Sequence, residues 1–210
     1  MSEEMLKEKI STDIFDYQVL MYHLKDYKKP RDKVTRLINT KKIVRLRKGL
    51  YTWGDISHKR DCEKFILANL IYGPSVVSLE SALAYYKVTE KDTDTITCIT
   101  PLRGAQKETP FGEFSYEHMN ASKYSIGNTI VQLEDEKSFM IATLEKAVID
   151  IVVRQRDLFS KDQIKEFIFE EIKMNLEKMN ILKLTKFYEI AKRYKSKKVD
   201  LLFKIFLEMR

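Results

Sequence analysis

The sequence predicts an α+β protein: an N-terminal winged helix-turn-helix, then a mixed α/β domain with a helical C-terminal part. Three observations predict it. The stretch from Lys29 to Trp53, KPRDKVTRLINTKKIVRLRKGLYTW, reads as a helix followed by a tight β-hairpin. Charge is concentrated there: residues 25–48 hold eleven Lys and Arg against Asp26 and Asp32, a net +9, while the whole chain is +7, so all other residues together sum to −2. After Gly54 the pattern changes to alternating strand-like and helix-like runs, and from Ser160 onward it is helical. The expected domains are residues 1–55 and 56–210.

Within the first domain, Ser2 to Lys9 suits a short helix and Ile10 to Phe15 an extended run. Asp16 is placed to cap a second helix, with Tyr17, Leu20, Met21 and Leu24 on one face. Asp26 to Lys29 turns the chain into a helix starting at Pro30, where a missing N–H costs nothing. Val34, Leu37 and Ile38 give it a narrow apolar stripe. Asp32, Arg36 and Asn39, flanked by Lys33 and Thr35, form the opposite face. Ile43 to Leu46 and Leu50 to Trp53 are β-prone runs around Arg47, Lys48 and Gly49, and Gly49 is free to take positive φ.

A local basic footprint on a helix and hairpin points to a polyanion. In such an interface phosphate contacts supply affinity and base edges supply specificity. Arg36 and Asn39 are the candidate base readers, for guanine and adenine, and Thr35 suits a thymine methyl. Asp32 can accept from cytosine or pair with Arg36 one turn on. Arg31 and Lys33 lie at the helix N-terminus, where backbone N–H groups also favour a phosphate. Lys41 and Lys42 follow the helix; Arg45, Arg47 and Lys48 belong to the wing, which would lie along the backbone or tip into a minor groove. A second basic zone runs from Lys183 to Lys198, where Lys183, Lys186, Lys192, Arg193, Lys195, Lys197 and Lys198 face one acid, Glu189, with Tyr188 and Tyr194 interleaved. It reads either as a second nucleic-acid surface or as the solvated face of a helix whose apolar side is Ile181, Leu184, Phe187 and Ala191.

The second domain begins after a polar connection, Gly54 to Arg60. Cys62 to Tyr72 reads as a buried helix stopped by Gly73-Pro74, and Ser75 to Val77 as extended. Ser78 is placed to cap a helix over Leu79 to Tyr86. Thr93 to Thr100 and Phe111 to Glu117 read as strands separated by a loop over Pro101 to Pro110. Thr129 to Leu133 and Ser138 to Ile141 suit a strand pair around the acidic turn Glu134-Asp135-Glu136. Thr143 can cap Leu144 to Arg154; helices over Lys161 to Glu171, Leu176 to Tyr194 and Lys197 to Met209 follow, with Ser160 and Ser196 as caps.

At 44% hydrophobic and 33% charged residues the chain can build a core, and no apolar run is long enough to span a membrane. The charged N-terminus, MSEEMLKEKI, does not read as a signal peptide, so a cytoplasmic protein with reduced Cys62 and Cys98 is expected. His23, His58 and His118 lack metal-ligand spacing, and no Gly-rich phosphate loop is present, so no metal or cofactor is expected. Ser75, Ser78 and Ser81 lack a nucleophile-elbow context. Glu145 and Lys146, with Asp94, could be imagined in a nuclease site, but adjacent helical residues do not face one way and a structural role is expected.

Five segments recur in order in a known family: RLRKGLYTW at Arg45 to Trp53, YGPSVVSLESALAYY at Tyr72 to Tyr86, the Thr-rich strand before Arg103, TPFGEFSY at Thr109 to Tyr116, and ATLEKAVID at Ala142 to Asp150. From about Ser11 to about Val153 the chain resembles AbiEi-like proteins, winged-helix antitoxins and regulators of type IV toxin–antitoxin systems. It departs from them at Lys41-Lys42, where they often carry Gly after the recognition helix, and at Leu144, where they often carry Pro. The resemblance implies a DNA-binding domain that represses its own operon's promoter. It also implies a second domain that counters a nucleotidyltransferase-like toxin, AbiEii, without a stable complex. The rivals are a free-standing regulator whose second domain senses a ligand or dimerises, and a nuclease-like enzyme with a DNA-binding domain.

Overall fold

A computed structural model describes residues 3–54, 61–91, 93–133, 137–175 and 177–209. It is a mixed α+β chain with two sheets and falls into two compact units, Met1–Glu63 with Thr109–Phe111, and Lys64–Glu108 with Gly112–Arg210. The expected linker after Gly54, His58 within it, and the acidic turn at 134–136 lie outside the described residues, as do Ser2 and the Cys62 side chain.

The first unit runs α1 (Glu3–Lys9), β1 (Ile14–Asp16), α2 (Tyr17–His23), α3 (Pro30–Asn39), β2 (Ile43–Arg47) and β3 (Leu50–Trp53). Strand β3 lies between β1 and β2, antiparallel to both. Local chemistry sets each start. Asp16 Oδ1 accepts from Val19 N at 2.8 Å, which caps α2. Pro30 opens α3. Gly49 takes the hairpin turn at φ +83°. A register shift between Arg45 and Arg47 bulges β2, so Leu46 points into the core between two exposed arginines.

One core holds this unit: Leu6, Ile10, Phe15, Leu20, Leu24, Val34, Leu37, Ile43, Tyr51 and Trp53. Burying each large apolar side chain contributes about 1.5–3 kcal/mol. Phe15 packs on Trp53 at 4.8 Å between ring centroids, and the Trp53 indole donates to Thr12 O at 3.2 Å. Thr52, fully buried, donates to Asp13 O at 2.8 Å. These side-chain bonds fix the hairpin to the chain before β1.

In the second unit a six-stranded sheet has the order β6-β7-β5-β4-β9-β8. The strands are β4 (Val76–Val77), β5 (Thr95–Thr100), β6 (Ala105–Thr109), β7 (Gly112–His118), β8 (Asn128–Gln132) and β9 (Ser138–Ala142). β4 pairs antiparallel with β5 and parallel with β9; β5 and β7 are parallel; β8 and β9 form an antiparallel hairpin. Strand β6 occupies what the sequence suggests is loop: AQKET is polar and exposed, so it lacks the alternation that marks a half-buried strand. The helices are α4 (Asp61–Ile71), α5 (Leu79–Tyr85), α6 (Ala121–Tyr124), α7 (Leu144–Arg154), α8 (Lys161–Glu166), α9 (Leu184–Tyr194) and α10 (Lys197–Glu208). Tyr116 of β7 donates to Ala68 O of α4 at 2.8 Å, and α5 and α7 pack together.

Three helix expectations change. Beyond α8 the chain continues as a π-helical turn, Phe167–Glu171. The expected helix from Leu176 to Tyr194 is instead a 3₁₀ turn, Glu177–Ile181, and then α9, because Lys183 is extended. The break turns Ile181 outward and Leu182 inward, so Ile181 does not belong to the buried side of α9; Phe187, Ile190, Ala191 and Tyr194 do. Ser78, Thr143 and Ser196 precede α5, α7 and α10, yet none of the three side chains caps its helix; the Ser78 hydroxyl is used elsewhere, as described below.

Candidate nucleic-acid interface

Helix α3 buries Val34 and Leu37 and half-buries Ile38, so its other face is turned to solvent. On that face Arg31, Thr35, Arg36 and Asn39 are exposed. Lys33 is half-buried, with its ammonium 5.5 Å from the Tyr27 ring centroid, where the π-face attracts it. Thr35 donates back to Arg31 O at 3.1 Å. Lys41, Lys42, Arg45, Arg47 and Lys48 are all exposed. Among the described residues, no side chain bonds the guanidinium of Arg31, Arg36 or Arg45 or the ammonium of Lys41 or Lys48, and the expected Asp32–Arg36 pair does not form.

The junction between helix and hairpin is built tightly. Lys42 N donates to Leu37 O and Lys41 N to Ile38 O, both at 2.9 Å, closing α3 with a Schellman motif. That motif needs a left-handed residue, and Lys41 supplies it at φ +55°. Gly54 N donates to Lys42 O at 2.8 Å. A Cβ on Gly54 would sit 1.8 Å from Lys41 O, so only glycine fits there. At the other end of the hairpin, Tyr17 N donates to Gly49 O at 3.0 Å, tying the turn to the start of α2. The basic groups therefore stand on a pinned frame.

The second basic zone is organised differently. Lys186 lies 3.9 Å from a Glu145 carboxylate oxygen. The Lys192 ammonium sits over Tyr188 at 4.3 Å. Lys198 donates to Gln155 O and lies near the Phe159 ring. Lys183, Arg193, Lys195 and Lys197 are exposed. Lys186 and Arg193 share a stripe seven residues apart, but Lys192 is turned from Arg193 by about 100°, with Glu189 between them. Tyr194, which the sequence interleaves with these cations, is buried.

Tyr194 belongs to a buried polar cluster that the sequence does not disclose. Lys146 is 0% exposed. Its ammonium donates to Tyr194 Oη at 2.7 Å, to Lys123 O at 3.0 Å and to Asp150 Oδ1 at 3.1 Å, which uses all three protons. Tyr194 donates to Asp150 Oδ1, and Ser78 Oγ donates to Asp150 Oδ2 at 2.9 Å. Burial lowers the Lys146 pKa and raises that of Asp150, while each partner's charge opposes the shift. Burial and the Asp150 charge push the Tyr194 phenol up. The one trace in the sequence is the i, i+4 spacing of Lys146 and Asp150; that the helix is buried from Leu144 to Val152, where charges must pair, shows only in the fold.

Neighbouring charges are also accounted for. Glu145, buried beside Lys146, accepts from Lys183 N at 3.0 Å. Arg154 of α7 grips Glu80 of α5 with two nitrogens. Asp94 is exposed, and no group of His, Cys, Asp and Glu among the described residues could hold a metal ion. His118 Nδ1 lies 2.8 Å from Leu102 O. Cys98 is free and buried, and burial raises its thiol pKa. Among the described residues no helix is long and apolar enough to cross a membrane. The chain matches no family model and no curated protein.

Proposed function

We propose that this chain is a DNA-binding antitoxin and autorepressor of a type IV, AbiE-like toxin–antitoxin operon. The reading takes α3 as the recognition helix and the β2–β3 hairpin as the wing of a winged helix-turn-helix, and the order of helices before a basic hairpin in the first unit supports it. The observation that carries the DNA reading is the exposure of Arg31, Thr35, Arg36, Asn39, Lys41, Lys42, Arg45, Arg47 and Lys48 on one continuous helix–hairpin segment. Arg36 and Asn39 read bases from the major groove, and the wing cations grip phosphate. The antitoxin role of the second unit is supported by the sequence resemblance, which extends to ATLEKAVID; that segment runs from the end of β9 into α7, whose Lys146 and Asp150 belong to the buried cluster. Such a cluster supports a structural rather than a catalytic role, because its donors and acceptors satisfy one another.

The test has two arms. The purified chain is titrated with a duplex from its own upstream region and with a scrambled duplex, and the chain is co-expressed with the product of the adjacent reading frame. The proposal expects preference for the upstream duplex and rescue of growth. Equal binding to both duplexes would remove the autorepressor, and growth arrest despite folded chain would remove the antitoxin.

A further inference from the structure

The six-stranded sheet has two edges, and they are built in opposite ways. Edge strand β6, AQKET, carries Lys107 and Glu108, both exposed. Charges on an edge strand discourage pairing with another chain. Edge strand β8, NTIVQ, has no charge and no proline, and its register with β9 runs without a bulge from Asn128↔Ala142 to Gln132↔Ser138. Ile130, at its centre, is 60% exposed, and its cross-strand partner Met140 is 39% exposed on the same face.

The direction of the free backbone groups follows from the hairpin's ends. Thr143 N donates to Gly127 O and Leu133 N to Lys137 O, both at 2.8 Å. In an antiparallel pair the bonded residues alternate, so residues 127, 129, 131 and 133 turn their N–H and C=O toward β9. Asn128, Ile130 and Gln132 turn theirs outward. We propose that two copies of the chain pair antiparallel through these outward groups, about a two-fold axis at Ile130. Ile130 exchanges both backbone hydrogen bonds with its own copy, and Asn128 with Gln132 of the other copy, six bonds in all by the antiparallel pattern. Ile130 meets Ile130 across the axis and Thr129 meets Val131, pairs of β-prone side chains. A two-fold axis sets each central side chain against itself, which an uncharged strand tolerates and β6, centred on Lys107, does not.

The test measures mass by analytical ultracentrifugation of the full chain, without DNA, through the micromolar range, so its outcome is separate from that of DNA binding. The parent is expected at twice 24.9 kDa. Ile130→Lys sets like charges across the axis, and Ile130→Pro removes an outward N–H while sparing the ladder to β9. Each should weaken the dimer by roughly tenfold or more. Hydrogen exchange of the parent covers the case in which a variant does not fold: the Ile130 and Gln132 amides should gain protection as concentration rises. A monomeric parent, a dimer untouched in both folded variants, or Ile130 and Gln132 amides that stay open in the dimer each overturns the proposal.

Discussion

The chain has two segments dense in lysine and arginine, and they differ in what their cations touch. On α9 and its flanks, Lys186 faces Glu145, Lys192 covers Tyr188 and Lys198 bonds the Gln155 carbonyl. On α3 and the hairpin, Arg31, Arg36, Lys41, Arg45 and Lys48 extend from a frame of buried aromatics with no protein group bound to their heads among the described residues. Charge density alone does not make an interface. Cations already bonded within the protein must break those contacts before they meet a phosphate, and cations scattered round a helix do not converge on one strand. Lys146 is the extreme case, a lysine wholly inside the protein.

The largest expected effect concerns that extreme. Asp150→Ala leaves Lys146 buried without its carboxylate and should destabilise the chain by about 3–5 kcal/mol. Combining Lys146→Met with Asp150→Leu should recover most of the loss. Urea unfolding of both variants checks this. A loss within about 0.5 kcal/mol for Asp150→Ala, the level typical of a surface change, would mean that the pair is not sequestered as described.

Arg36→Ala and Lys48→Ala sharpen the interface itself. Arg36→Ala should lose about 1–3 kcal/mol on the upstream duplex and relax sequence preference. Lys48→Ala should weaken specific and random DNA alike and lower the salt slope by about one. Binding to both duplexes across a salt series separates reading from gripping. Identical behaviour of the two variants would merge the roles assigned to helix and wing.

Lys41→Gly tests the junction. The left-handed conformation at Lys41 costs a non-glycine residue, so glycine should raise stability by roughly 0.5–1 kcal/mol while removing one cation from the proposed interface. Thermal unfolding and DNA binding should therefore move in opposite directions. The smallest effect is expected at α9: charge reversal at Lys192 and Arg193 should leave affinity for the upstream duplex unchanged. A fall as large as that of Arg36→Ala would make α9 part of the DNA surface.

Features set by neighbours in sequence were legible. The Asp16 cap, the Pro30 start and the Gly49 turn each depend on one residue's intrinsic geometry. The exposure of the α3 basic face followed from its apolar stripe. What was not legible depends on distant chain or on a residue acting against its preference. Lys41 takes the position usually given to glycine, so no turn signal marks it. Tyr194 reaches Lys146 from 48 residues away, and Ser78 spends on Asp150 the hydroxyl that looked like a helix cap. Strand β6 escaped because its side chains are polar on both faces, and the break at Lys183 because no glycine or proline announces it.

Hydrogen–deuterium exchange of the full chain, with and without a duplex from its upstream region, tests the central claim most directly, because it samples both basic segments at once. DNA contact through α3 and the wing predicts protection within residues 30–53 and unchanged exchange across 183–198. Protection on α9 and α10 with the helix and hairpin unchanged would contradict it.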